Sequence, residues 1–202
     1  MKTLYHYFNL NKESEGYFED KGSKFYAYAY NVYTENDVKK YLEKLKEQYP
    51  KATHHCYAYR IGTDKNNFRA NDDGEPSGSA GRPILGQIDS FGLSNVLCVV
   101  VRFYGGTNLG VSGLINAYKK ATQNAFENAK IIEKEITQNL KISCTYTQVN
   151  DLFNHLKSIG VDSWNETYNE TCNISFEIPL SIFDNLEQWL NNNNYKITNL
   201  DK

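Results

Sequence analysis

Hydrophobic and polar positions change period several times along the chain. Residues 23–33 (Ser-Lys-Phe-Tyr-Ala-Tyr-Ala-Tyr-Asn-Val-Tyr) are aromatic-rich and read as a strand. Tyr26, Tyr28 and Tyr30 alternate on one of its faces, either to pack under a helix or to stack on bases, and packing is the favoured reading. Thr34-Glu-Asn-Asp then gives an N-cap and an acidic first turn. The helix that follows carries Val38, Tyr41, Leu42, Leu45 and Tyr49 at helical spacing and stops before Pro50. A second strand is predicted over 53–62, a long polar loop over 63–82, and a short helix from Pro83 to about Phe91. The apolar run Val96 to Val101 reads as a buried strand. After it, Leu114, Tyr118, Ala121, Ala125 and Ala129 mark one face of a long helix.

From about residue 132 the pattern restarts. A strand lies within 136–146, then a helix over 148–159 with Val149, Leu152, Phe153 and Leu156 inward. Strands follow at about 161–168 and 171–178. A helix over 181–192 turns Ile182, Leu186, Trp189 and Leu190 inward, and a last strand sits near Tyr195–Thr198. The order β-α-β-β-α-β is that of the split βαβ, or ferredoxin-like, unit. The expectation is therefore an α+β chain of two domains, residues 1–132 and 133–202.

Composition adds bounds. Charged residues are 23% and hydrophobic ones 40% of the 202 positions, as in ordinary soluble proteins. No apolar run is long enough to span a membrane, and the first residues carry no signal-like apolar stretch, so a cytoplasmic location is expected. Cys56, Cys98, Cys144 and Cys172 are widely spaced and lie in strand-like context, which fits buried thiols better than disulfides. Residues 1–131 hold 17 Lys+Arg against 14 Asp+Glu, and 132–202 hold 5 against 10, for the overall charge of −2. Neither half has the dense basic patch of a dedicated nucleic-acid binder.

Candidate chemistry concentrates in residues 72–113, which contain nine of the 13 glycines. The first signature is Asp72-Asp-Gly-Glu-Pro-Ser-Gly-Ser-Ala-Gly-Arg-Pro83. The second is Arg102-Phe-Tyr-Gly-Gly-Thr-Asn-Leu-Gly-Val-Ser-Gly113. The second runs from strand to helix. It reads either as an anion site on free helix N–H groups, which Arg82, Lys119 or Lys120 could assist, or as a tight connection. It is neither a Walker A loop nor G-x-G-x-x-G. In the first, Asp72, Asp73 and Glu75 read as a solvated or structural loop, as a partner surface, or as acid–base or metal-binding carboxylates. His54 and His55 are neighbours on a strand, so they point to opposite faces and do not ligate one metal together.

The two signatures resemble the D-D-G-E-P and R-[YF]-[YF]-G-G stretches of the YigZ/IMPACT family. Ser23-Lys24-Phe25 and His54-His55-Cys56 match in the same order. The resemblance implies an N-terminal domain folded like the second domain of ribosomal protein S5. It implies a C-terminal domain like the ferredoxin-like last domain of the translocation elongation factor. Eukaryotic members of the family regulate translation by competing for an activator protein, and RNA or ribosome binding is the usual inference for bacterial ones. Asn108, Asn116 and Ser112 depart from the family, which often has Lys, Arg or Lys, and Gly there. An anion site here would therefore rely on backbone and helix dipole more than on cations.

The reading is a translation-associated regulatory or binding factor that contacts RNA, the ribosome or a translation-regulating protein. Its two loops are expected to converge near His54. The binding residues would be His54, Asp72, Asp73, Gly74, Glu75, Gly78, Arg82, Arg102, Gly105, Gly106, Asn108, Gly110, Ser112, Gly113 and Asn116. No cofactor, metal or catalytic residue is assigned. Two alternatives stay open: a metal-dependent hydrolase built on Asp72, Asp73, Glu75 and His54, and a protein–protein adaptor that binds no nucleic acid.

Overall fold

A computed structural model describes residues 5–200, with two compact units: 7–134, and 5–6 together with 135–200. The fold is mixed α and β in both.

From the start of the described residues the elements run β1 (His6–Leu10), β2 (Ser14–Asp20), β3 (Ser23–Asn31), α1 (Glu35–Gln48), β4 (His54–Ile61), β5 (Asn67–Asn71), α2 (Gly81–Ser90), β6 (Val96–Phe103), α3 (Gly110–Glu127) and β7 (Ile131–Glu135). Five strands form one antiparallel sheet in the order β2-β3-β6-β4-β5, and β1 pairs with β7 in a separate ribbon. β2 turns into β3 through Lys21 and Gly22, both at positive φ, as a two-residue hairpin requires. Thr34 caps α1 through the expected box with Asp37.

Helices cover both faces of this sheet. α2 and α3 bury Phe25, Ala27, Cys56, Ala58, Cys98 and Val100 on one side. α1 buries Tyr28, Tyr30, Tyr59, Leu97 and Val99 on the other. The alternating tyrosines of β3 are thus packing residues at 28 and 30, while Tyr26 lies half-buried at the margin.

The segment expected as a loop over 63–82 contains β5, which pairs with β4 at the sheet edge. Four of its five residues are exposed, so hydrogen bonds rather than burial hold it and no hydrophobic period announces it. β2 was equally hidden. Its inward positions are Ser14, Gly16 and Phe18, because α3 packs directly on its backbone. A Cβ on Gly16 would stand 2.3 Å from the Ala125 nitrogen.

The second unit comprises β8 (Thr137–Cys144), α4 (Val149–Ser158), β9 (Asn165–Tyr168), β10 (Cys172–Pro179), α5 (Leu180–Asn192) and β11 (Lys196–Asn199). Its strands lie antiparallel in the order β11-β8-β10-β9. This is the split βαβ topology. β9 is shorter than the strand expected over 161–168. Both helices pack on one face around Leu140, Ile142, Leu152, Ile174, Leu186 and Leu190. All four cysteines are free and buried. Among the described residues no helix is long and apolar enough to cross a membrane.

Candidate functional site

The site begins with β4 and β6, which pair so that His54 stands opposite Arg102. Even-numbered β4 positions face α2 and α3, so His54 and Cys56 turn one way. His55 turns the other, towards α1, where burial lowers its pKa. The 72–81 segment folds back over the end of β4. The His54 Nδ1–H donates to the Asp73 carbonyl at 2.7 Å, and the His55 amide donates to Asp73 Oδ2 at 2.6 Å. Asp73 itself sits at φ 43° and Gly74 at φ 88°, with a Gly74 Cβ position 3.6 Å from the His54 ring.

Each carboxylate of the first signature has its own structural task. Asp72 accepts backbone N–H bonds from Gly78 (2.8 Å), Ala80 (3.0 Å) and Gly81 (2.8 Å). It thereby caps α2, whose own N-cap residue, Ala80, has no side-chain acceptor. Burial opposes ionisation of Asp72. The three N–H groups and nearby Arg82 outweigh that, so its pKa stays below the ordinary 3.8. Gly81 is required because a Cβ there would meet the Asn71 nitrogen at 2.5 Å.

Glu75 is buried, and its Oε1 is 2.5 Å from Arg102 Nη1. The Tyr118 hydroxyl donates to the same oxygen at 2.7 Å, and His54 Nε2 is 3.9 Å away. Arg102 Nη2 points to the Ser23 hydroxyl at 3.5 Å, while Arg102 Nε is buried without a partner. The Cys56 thiol lies 2.9 Å from the Asp72 carbonyl and 3.3 Å from the Tyr118 hydroxyl. Burial pushes its pKa up, away from the thiolate form.

The hydrolase reading needs Asp72, Asp73, Glu75 and His54 to aim at one point. They do not. Asp72 is spent on α2, Asp73 on β4 and Glu75 on Arg102. Among the described residues no group of three or more His, Cys, Asp or Glu is placed to hold a metal ion.

The second signature meets the first across a cleft of about 460 Å³. It is lined by Thr53, His54, Glu75, Pro76, Arg102, Tyr104, Asn108, Leu109, Gly110, Val111 and Leu114. Of the expected binding residues, His54, Glu75, Arg102, Asn108 and Gly110 line it. Asp73 and Gly74 support its His54 wall. Asn108 accepts a hydrogen bond from the Tyr104 hydroxyl at 3.3 Å. The α3 N-terminus at Gly110 has no side-chain cap and no acidic residue in its first turn.

The remaining expected residues do not line the cleft. Asp72, Gly78 and the exposed Arg82 belong to the α2 cap, with Arg82 folded near Gly78. Gly105 packs on the β2–β3 turn, where a Cβ would lie 2.0 Å from the Gly22 carbonyl carbon, and its amide donates to Ser23 Oγ at 3.1 Å. Gly106 is needed for φ 85°. Ser112 and Asn116 are exposed on α3, and Gly113 packs on Leu109. Sequence reasoning missed Tyr118 as the donor to Glu75. A tyrosine on the inward face of a helix was the available signal, because its hydroxyl must find a partner.

This architecture defines a two-unit α+β protein. Two glycine-rich loops in its first unit frame a cleft over a buried Glu–Arg–Tyr network. Residues 21–126 match the Impact N-terminal domain, a span that contains both signatures. The chain is 34% identical over 154 residues to the IMPACT family member YvyE of Bacillus subtilis (strain 168), covering 76% of this chain and 71% of that one. It is 33% identical over 133 residues to the IMPACT family member YigZ of Escherichia coli (strain K12), covering 65% of each. It is 41% identical over 96 residues to Protein IMPACT of Homo sapiens, covering 45% of this chain and 29% of that one. A crystal structure of a hypothetical protein shares the fold across 96% of this chain and 97% of its own, with TM-score 0.75 and 24% identity. The chain belongs to the IMPACT family.

Proposed function

We propose that this chain is a cytosolic, translation-associated binding factor whose partner engages the cleft between the two glycine loops. The observation that carries the reading is the cleft itself, where the two family signatures face one another across His54 and Arg102. Its chemistry favours a polypeptide over RNA. The Arg102 charge is already taken by Glu75. The rim is apolar at Pro76, Leu109 and Val111, and its polar position nearest α3 is the uncharged Asn108. A polyanion would gain few phosphate contacts there. A peptide carboxylate or carbonyl could use the free N–H groups of α3 while apolar side chains fill the rest.

The test is pull-down from native cytosol with and without ribonuclease, using the wild type and Val111→Glu, a change at a position 54% exposed on the cleft. The expected result is a set of non-ribosomal protein partners that survives ribonuclease and moderate salt and is lost in the variant. Loss of every partner on ribonuclease treatment, or steep weakening between roughly 50 and 200 mM salt, would instead favour RNA or the ribosome.

A further inference from the structure

α1 covers only part of its face of the five-stranded sheet. It lies over β4 and β6 and buries Tyr28 and Tyr30. Tyr17 on β2 stays 41% exposed, and Tyr26 and Phe103 stay half-buried. The uncovered rings touch in sequence. Centroids are 5.0 Å apart from Tyr17 to Tyr26, 6.0 Å from Tyr26 to Phe103, and 6.1 Å from Phe103 to Tyr49. Tyr26 forms a ridge between two hollows. One, of about 450 Å³, is lined by Gly22, Lys24, Tyr26, Tyr49, Phe103 and Tyr104. The other, of about 290 Å³, includes Glu15, Tyr17, Tyr26 and Tyr28.

Charge and edge chemistry narrow what fits. Lys24 stands opposite Glu19 in register, and Glu15 lines the second hollow, so the strip is neutral to acidic. Single-stranded nucleic acid needs aromatics along a positive track, and this strip offers one lysine with a glutamate facing it. Strand addition is also opposed. β2 is the edge strand, but its Glu15 and Tyr17 carbonyls already accept hydrogen bonds from the side-chain amides of Asn128, the residue that caps the C-terminus of α3, and of Asn124 within α3, at 2.9 and 2.8 Å. A partner must therefore lie on the rings instead of pairing with the backbone.

We propose that this strip docks an extended proline-rich segment of a partner protein, in polyproline II conformation, with a basic flank towards Glu15. Such a segment needs no backbone pairing and arrives with its conformation already restricted. Its proline rings pack on flat aromatic faces, and successive turns seat in hollows separated by an aromatic ridge. The strip and the cleft share Tyr104 alone, so the two surfaces can be tested apart.

The probe is a decaproline peptide with arginine at both ends, titrated into the full chain and followed by amide NMR shifts. A glycine–serine peptide with the same ends and a ten-nucleotide oligouridylate serve as comparators. The expected result is saturable shifts on β2, β3 and the end of β6 for decaproline only. Tyr17→Ala should weaken binding about tenfold, the loss of one exposed aromatic anchor. Tyr17→Phe, which keeps the ring, should bind like the wild type, and matched thermal melts establish that both variants fold. No saturable shift with decaproline, equal binding of the glycine–serine peptide, or Tyr17-dependent binding of oligouridylate alone would overturn the proposal.

Discussion

The Glu75–Arg102 pair gives the most direct test of how the cleft floor is built. Its side chains are 4% and 7% exposed, so neither charge has water to fall back on. Glu75→Gln keeps the volume and an acceptor for the Tyr118 hydroxyl but leaves the Arg102 guanidinium without its counter-charge. Removing one partner of a buried pair costs roughly 3–5 kcal/mol, and because the Tyr118 bond survives the expected loss is about 3 kcal/mol. Arg102→Met leaves Glu75 with Tyr118 and, at 3.9 Å, His54, so its loss should be somewhat smaller. The double variant removes both charges, and its cost should fall short of the sum by at least about 2 kcal/mol, since the uncompensated charge is what each single change creates. Urea unfolding by far-UV circular dichroism measures the cycle. Tryptophan fluorescence follows the second unit separately, because Trp164 and Trp189 both lie there. A Glu75→Gln cost within about 0.5 kcal/mol, or a double variant additive to that margin, would refute the pair as a coupled, desolvated unit.

Two further tests address the signatures. Gly105→Ala should cost about 2–3 kcal/mol by overpacking against the backbone of Gly22 and Ser23, whereas Gly106→Ala, with nothing within 4 Å, should cost about 1–2 kcal/mol from its positive φ alone. Thermal melts that show equal losses would contradict that division. Asp72→Asn should lower stability by about 1–2 kcal/mol at neutral pH, because it removes the charge assistance and one of the two acceptor oxygens that hold the three N–H groups at the start of α2. The folded-state pKa of Asp72 lies below its ordinary 3.8, so its contribution is present above 3.8 and disappears as pH falls further. Urea midpoints of wild type and variant should converge in that acidic range, and a gap of constant size would show that charge is not the cause.

How much was legible follows from what each element depends on. α1, α3, α4 and α5 carry a repeating apolar stripe and appeared in the sequence with small errors at their ends. So did β3, β4 and β6, which are long and apolar on at least one face. β5 and β2 did not, because β5 is held by edge pairing and β2 meets α3 through Ser14 and Gly16. Local period records burial of side chains, and these strands bury backbone.

The sequence by itself determined the family, through two glycine signatures in fixed order, and the opposite facing of His54 and His55. Only the tertiary structure decided what the clustered carboxylates do. Asp72, Asp73 and Glu75 lie within four consecutive positions, yet one caps a helix, one pins a strand and one neutralises an arginine 27 residues away. Backbone turns at Asp73 and Gly74 send their side chains apart, and a run of like charges carries no local mark of which distant donor each will meet.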